Sequence, residues 1–155
     1  ESGLLAGKLV GGVALMVGIA AIALVAAVAM FDVPWSRVPG AIAWSAFAGA
    51  ALLAMTTLLQ ILASSQRVAE MLSTSIIFPL MMIGGSFFPF EAMPAWMAAV
   101  GQWTPNGLSV VRLKELLYGS PSAPVFLVSA AAIGLPAVAA FVLAGRLVRR
   151  KFSAP

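Results

Sequence analysis

Four long apolar runs, none interrupted by a charge, decide what this chain can fold into. They are Leu9 to Phe31, Ala41 to Ala63, Met71 to Phe90 and Ser122 to Gly145. A helix rises about 1.5 Å per residue, so roughly 20 residues reach across the roughly 30 Å of bilayer hydrocarbon. The runs are continuous rather than alternating, which selects helices over the strands of a membrane barrel. The expected fold class is all-α: a polytopic helical bundle with spans at about 9–31, 41–63, 71–90 and 122–145. Hydrophobic residues make up 62% of the chain and charged ones 9%, against about 25% charged in soluble domains. Such a surface belongs in lipid.

The connections set the topology. A short turn, 32–40, joins the first two spans, and a second, 64–70, joins the next two. A longer segment, Glu91 to Pro121, precedes the last. With both ends of the chain on the cytoplasmic side, Lys8, Arg67, Arg146, Arg149, Arg150 and Lys151 lie inside, and Arg37, Arg112 and Lys114 outside. The positive-inside rule favours this over the inverse, mostly through the C-terminal cluster. The protein is expected in a cell membrane, inner or cytoplasmic, as a multi-pass chain. The net charge of +4 comes largely from that cluster behind an apolar run, not from a basic folded face, so no nucleic-acid partner is expected. The first residue is Glu1 rather than Met, which suggests a segment of a longer chain.

The long outer segment carries helix signals of its own. Pro94 can open a helix, and Trp96, Met97, Val100 and Trp103 follow near one face. Thr104 reads as an N-cap, Pro105 as the first residue of a second helix, and Gly119 as its stop. Two short re-entrant or interfacial helices are therefore expected over about 94–118; an interfacial loop with tryptophan anchors is the other reading. In the third span, Pro79, Gly84 and Gly85 mark either a hinge beside a translocation path or an ordinary membrane-helix kink. Pro136 poses the same choice in the fourth span.

Polar residues inside the spans are few. Gln60 and Ser75 are the candidate intramembrane polar sites, Gln60 being the costlier to bury unless it snorkels. Small residues at spacing four, Gly7 and Gly11, then Ala41, Ser45 and Gly49, permit close helix packing. No ionisable residue lies well inside a span, so no proton or ion relay is visible, and any transport would draw its energy from a partner. His and Cys are both absent, which removes Ser/His and Cys/His catalysis and the common zinc sites within this segment. No Walker phosphate loop is present. An enzyme is not expected, and no cofactor is.

The run Gly84-Gly85-Ser86-Phe87-Phe88-Pro89-Phe90-Glu91-Ala92-Met93-Pro94-Ala95-Trp96 resembles the outer segment of ABC transporter permeases of the type-2 exporter class. Trp103-Thr104-Pro105-Asn106-Gly107 is similar to that family's Thr-Pro-Asn-Gly segment, and Gly7-Lys8 to the pair before its third span. The resemblance covers nearly the whole chain in order. It implies six spans per subunit, of which this chain matches the last four. It further implies a second permease copy, as homo- or heterodimer, and cytoplasmic ABC ATPase subunits that carry the ATP chemistry. On this reading Gly84, Gly85, Phe87, Phe88, Pro89, Glu91, Pro94, Trp96, Trp103 and Pro105 form the outer gate, with Glu91 either orienting polar groups or serving as a solvated cap. Gly7 and Lys8 mark the cytoplasmic entry, and the 64–70 loop approaches the ATPase. The function expected is a permease forming part of a translocation path. The alternatives are a non-transporting membrane scaffold and, with the required residue types missing, a membrane-embedded enzyme.

Overall fold

The computed structural model describes residues 2–119 and 122–152, and the described residues contain helices and turns but no strand. Six α-helices follow one another: α1 (Ser2–Phe31), α2 (Val38–Leu62), α3 (Gln66–Ile83), α4 (Ala95–Gly101), α5 (Pro105–Tyr118) and α6 (Ala123–Phe152). Two 3₁₀ turns, Trp35–Arg37 and Phe90–Ala92, precede α2 and α4. Three segments, Val10–Phe31, Trp35–Leu62 and Ala123–Arg149, are long and apolar enough to cross a membrane.

The third apolar run differs from its expected 71–90 span. Its helix begins earlier, at Gln66, because Ser65 caps it: the Ser65 hydroxyl accepts a hydrogen bond from the Val68 amide at 3.3 Å. It also ends earlier, at Ile83. Gly84 caps it and Gly85 takes φ +81°, a left-handed conformation that stops the helix. The 18 residues of α3 extend about 27 Å and include Arg67 and Glu70 in the first turns.

α2 is the centre of the bundle, with α1, α3, α5 and α6 all packed on it. Its buried residues run Val38, Ala41, Trp44, Ala48, Ala51 and Ala54, a stripe at spacings of three and four. α6 answers with Ile133, Ala137, Ala140 and Ala144, and Ile133 is fully enclosed. Two facing rows of alanine let the backbones approach, and van der Waals packing rather than the hydrophobic effect holds such helices in lipid. Between α1 and α2 the close approaches are at Gly12, where a Cβ would lie 2.7 Å from Leu53, and Gly49, 2.8 Å from Met16. Gly7 and Gly11, expected to pack closely, have nothing within 4 Å; the helix phase that puts Gly12 against α2 turns them away. The outward faces of α1 and α6 remain apolar, with Ile22, Met30, Leu127 and Leu135 among their most exposed residues, as a lipid-facing surface requires.

Candidate functional site

The segment after α3 folds back onto the end of the bundle instead of leaving it. The expected helix pair is present, with small shifts. Pro94 is the N-cap of α4 rather than its first residue, and its carbonyl accepts from the Met97 and Ala98 amides at 2.9 and 3.0 Å. Thr104 caps α5 as its position suggested: its hydroxyl accepts from the Gly107 amide at 3.0 Å and donates to the Gly101 carbonyl at 2.7 Å. Pro105 opens α5 and Gly119 closes it.

Four glycines make the fold-back possible. A Cβ on Gly101 would sit 1.8 Å from the Ile83 carbonyl oxygen, and one on Gly107 2.0 Å from the Gly101 oxygen. One on Gly84 would meet Asn106 at 2.5 Å, and one on Gly85 the Phe90 ring at 2.7 Å. The end of α3, the end of α4 and the start of α5 thus meet at backbone contact. Asn106 closes the junction, donating to the Gly84 carbonyl at 3.3 Å and to the Ser86 hydroxyl at 2.9 Å.

From that junction α5 enters the bundle and is tied to each neighbour by a polar contact. Trp44 of α2, itself buried, donates its indole N–H to the Ser109 carbonyl at 2.9 Å. Arg112 donates from Nε to the Ser129 hydroxyl of α6 at 2.8 Å and pairs through Nη1 with Glu115. Ser129 is buried and in turn donates to the Val125 carbonyl at 2.9 Å. Arg37, in the turn before α2, donates to the Leu117 and Gly119 carbonyls at 3.0 and 2.8 Å, satisfying the last carbonyls of α5. Lys114 donates to both oxygens of Glu91 at 2.9 and 3.0 Å. That hydrogen bond, foremost, and a backbone hydrogen bond hold the Glu91 carboxyl below its ordinary pKa of 4.5. Leu108 and Leu117 fill the apolar side of α5, packed with Trp44 and Ile133 in one cluster and Val33 and Val38 in another.

The residues expected to form an outer gate are thus gathered around this junction, though not all in contact. Gly84, Gly85, Pro105 and the Glu91–Lys114 pair belong to the junction and its ties. Phe87, Phe88, Pro89, Pro94, Trp96 and Trp103 are exposed around it. Trp35, in the turn before α2, is exposed as well. Gln60 and Ser75 are exposed on α2 and α3 and converge on nothing among the described residues. Gly7 is exposed on α1, and the Lys8 side chain lies outside the described residues, as does Pro121 of the outer segment.

Sequence reasoning passed over Arg37, Trp44, Arg112 and Ser129 as contact-makers, and Gly101 as a close approach. A long-range bond from one helix to another leaves no local signal; Gly101, three residues before an N-cap, offered only its position. Open clefts flank the packed helices. One, of about 610 Å³, lies between α1, α2 and α6 and is lined by apolar side chains. Another, of about 390 Å³, lies between α5 and α6 and contains Arg112 and Ser129. No group of three or more His, Cys, Asp or Glu gathers among the described residues to hold a metal ion.

A family model described as an ABC-2 family transporter protein matches residues 2–146. No curated protein matches the chain, and no solved structure does.

Proposed function

This chain belongs to the ABC-2 family of transporter proteins, and from that premise we propose that it is the membrane-spanning permease of an ATP-driven exporter, forming part of the substrate path. α3, with the 84–90 turn, makes the fourth crossing beside the three long spans. A second permease copy and cytoplasmic ABC ATPase subunits complete the transporter, and ATP is hydrolysed on those subunits. The location is an inner or cytoplasmic membrane, with the free basic end in the cytoplasm.

The single observation that carries this reading is the asymmetry between the two ends. At one end Arg37, Arg112 and Lys114 are all engaged by protein acceptors, and α5 packs against α2 and α6. At the other, Arg67, Arg146 and Arg149 are exposed and make no hydrogen bond or ion pair among the described residues. Free positive charge of this kind marks a cytoplasmic face. A closed outer end and a charged inner end suit a permease driven from inside. The three long apolar spans carry no ionisable residue deep within them, so the driving energy comes from the partner ATPase.

In this mechanism ATP binding draws the ATPase subunits together, and the inner loop 64–70 passes the motion to α2 and α3. The α4–α5 pair is the outer closure. Because α5 is bonded to α2, α3 and α6 at once, a shift of those spans at the inner end alters the seating of α5 at the outer end.

The test is ATP hydrolysis in lipid nanodiscs by the full-length protein with its candidate ATPase partner. Copurification and a hydrolysis rate changed by the permease are the expected result. If no ATPase associates, the exporter reading fails and a membrane scaffold replaces it.

A further inference from the structure

The cleft of about 390 Å³ between α5 and α6 joins two chemistries that rarely share one wall of a membrane protein. Leu108, Val125, Val128 and Ala132 give it an apolar floor, and the Arg112 guanidinium and Ser129 hydroxyl sit among them. Trp103, 75% exposed, stands at its edge. The Arg112 side chain is 14% exposed. A charge so enclosed beside apolar helices is costly unless it serves a purpose or is fully bonded.

Arg112 is not fully bonded. A guanidinium has five N–H donors. The bonds to Ser129 and Glu115 use Nε and one donor of Nη1, leaving the Nη2 amino group unspent. Among the described residues the only buried side-chain nitrogen or oxygen without a partner is Ser73 Oγ. The Nη2 group is therefore not sealed in protein, and Arg112 lines the cleft. Glu115, at 38% exposure, is the outer member of the ion pair, so water can solvate it when Arg112 turns to another acceptor.

We propose that this cleft binds an anionic phospholipid-like amphiphile, its phosphate unneutralised by any cationic headgroup and seated on Arg112, with an acyl chain along Val125, Val128 and Ala132. The fork of the guanidinium matches two oxygens of a phosphate. The cleft runs along the first turns of α6, at the start of a segment long and apolar enough to cross a membrane, within reach of lipid headgroups. Glu115 is the internal competitor: it holds Arg112 in the empty site and yields it to the ligand. The site needs neither ATP nor an ATPase, so its failure leaves the exporter reading untouched, and the reverse.

The full-length protein in neutral detergent, titrated with phosphatidylglycerol, phosphatidylcholine or inorganic phosphate and read by native mass spectrometry, tests the site. The expected result is phosphatidylglycerol retained about tenfold more tightly than phosphatidylcholine, a difference that inorganic phosphate does not abolish. Arg112→Gln removes the preference. Because that change also cuts the tie to α6, two further variants leave Arg112 in place. Val128→Trp fills the cleft and expels the lipid, and Glu115→Gln removes the competitor and tightens binding. Equal retention of both lipids, wild-type retention by Val128→Trp, or no gain in Glu115→Gln overturns the proposal. Inorganic phosphate binding as tightly as the lipid also overturns it, by making the site one for free anions.

Discussion

At Gly101 a single hydrogen atom decides whether three helix ends can meet. The Cβ of any other residue would fall 1.8 Å from the Ile83 carbonyl oxygen, a backbone atom that cannot swing away. Gly101→Ala should therefore lower stability by about 1–3 kcal/mol or more, read as a fall in the melting temperature of the detergent-purified protein. Gly11→Ala is its control, since nothing lies within 4 Å of Gly11 and alanine suits a helix interior better than glycine; no loss is expected there. Glu91 provides a second residue-level test, by pH. Its carboxyl titrates below 4.5 because Lys114 bonds the ionised form. A carboxyl depressed in the folded state contributes its stabilisation above the unfolded value and loses it as pH falls through the folded one. Lowering the pH below 4.5 should release the 90–92 turn from Lys114, seen as a lower hydrogen-exchange protection factor there after correction for the intrinsic pH dependence of exchange. In Glu91→Gln this acid-dependent change should vanish.

At the scale of elements α5 is the informative case, because its ends were legible in the sequence and its role was not. Thr104-Pro105 and Gly119 are local signals, an N-cap with proline behind it and a helix-stopping glycine, and each acts within a few residues of its position. The α4 start was readable to within a residue for the same reason. What the sequence could not show was where α5 goes. Its ties to Arg37, Trp44 and Ser129 span 80, 65 and 17 residues of chain, and no periodicity encodes such pairings. The third apolar run illustrates the opposite failure. Apolarity continued to Phe90, but the backbone turned at Gly85, so hydropathy overran the helix. The ties also rank by what each supports. Removing the cap with Thr104→Ala should cost about 1 kcal/mol and free amides at the start of α5. Arg37→Ala instead leaves the Leu117 and Gly119 carbonyls without their donor and should free the other end. Hydrogen exchange resolved along 105–118 distinguishes the two; equal protection loss along the whole helix in both variants would mean that α5 unfolds as one unit and is not held end by end.

For the whole molecule the question is which end faces the cytoplasm, and the structure sharpens what a count of charges leaves open. Nine basic residues divided six to three is a modest bias. The three at the α5 end, however, are spent within the protein: Arg37 on helix-end carbonyls, Arg112 on Ser129 and Glu115, Lys114 on Glu91. An arginine or lysine already bonded to fixed acceptors is a part of the fold, and it opposes translocation less than a free one. The exposed Arg67, Arg146 and Arg149 have no such partners among the described residues, and they cluster where α3 begins and α6 ends. The effective bias is therefore stronger than the count, and it favours the α3–α6 basic end inside. The absence of cysteine makes this directly measurable. Ser64→Cys places a thiol in the turn between α2 and α3, and Ala92→Cys places one in the 3₁₀ turn before α4, both at exposed positions. A maleimide that cannot cross membranes, added to intact cells, should label Ala92→Cys and leave Ser64→Cys unmodified until the membrane is opened. The opposite pattern would place the α4–α5 pair in the cytoplasm. It would then face the ATPase instead of closing the outer end, and both the orientation and the outer-closure role would fall together.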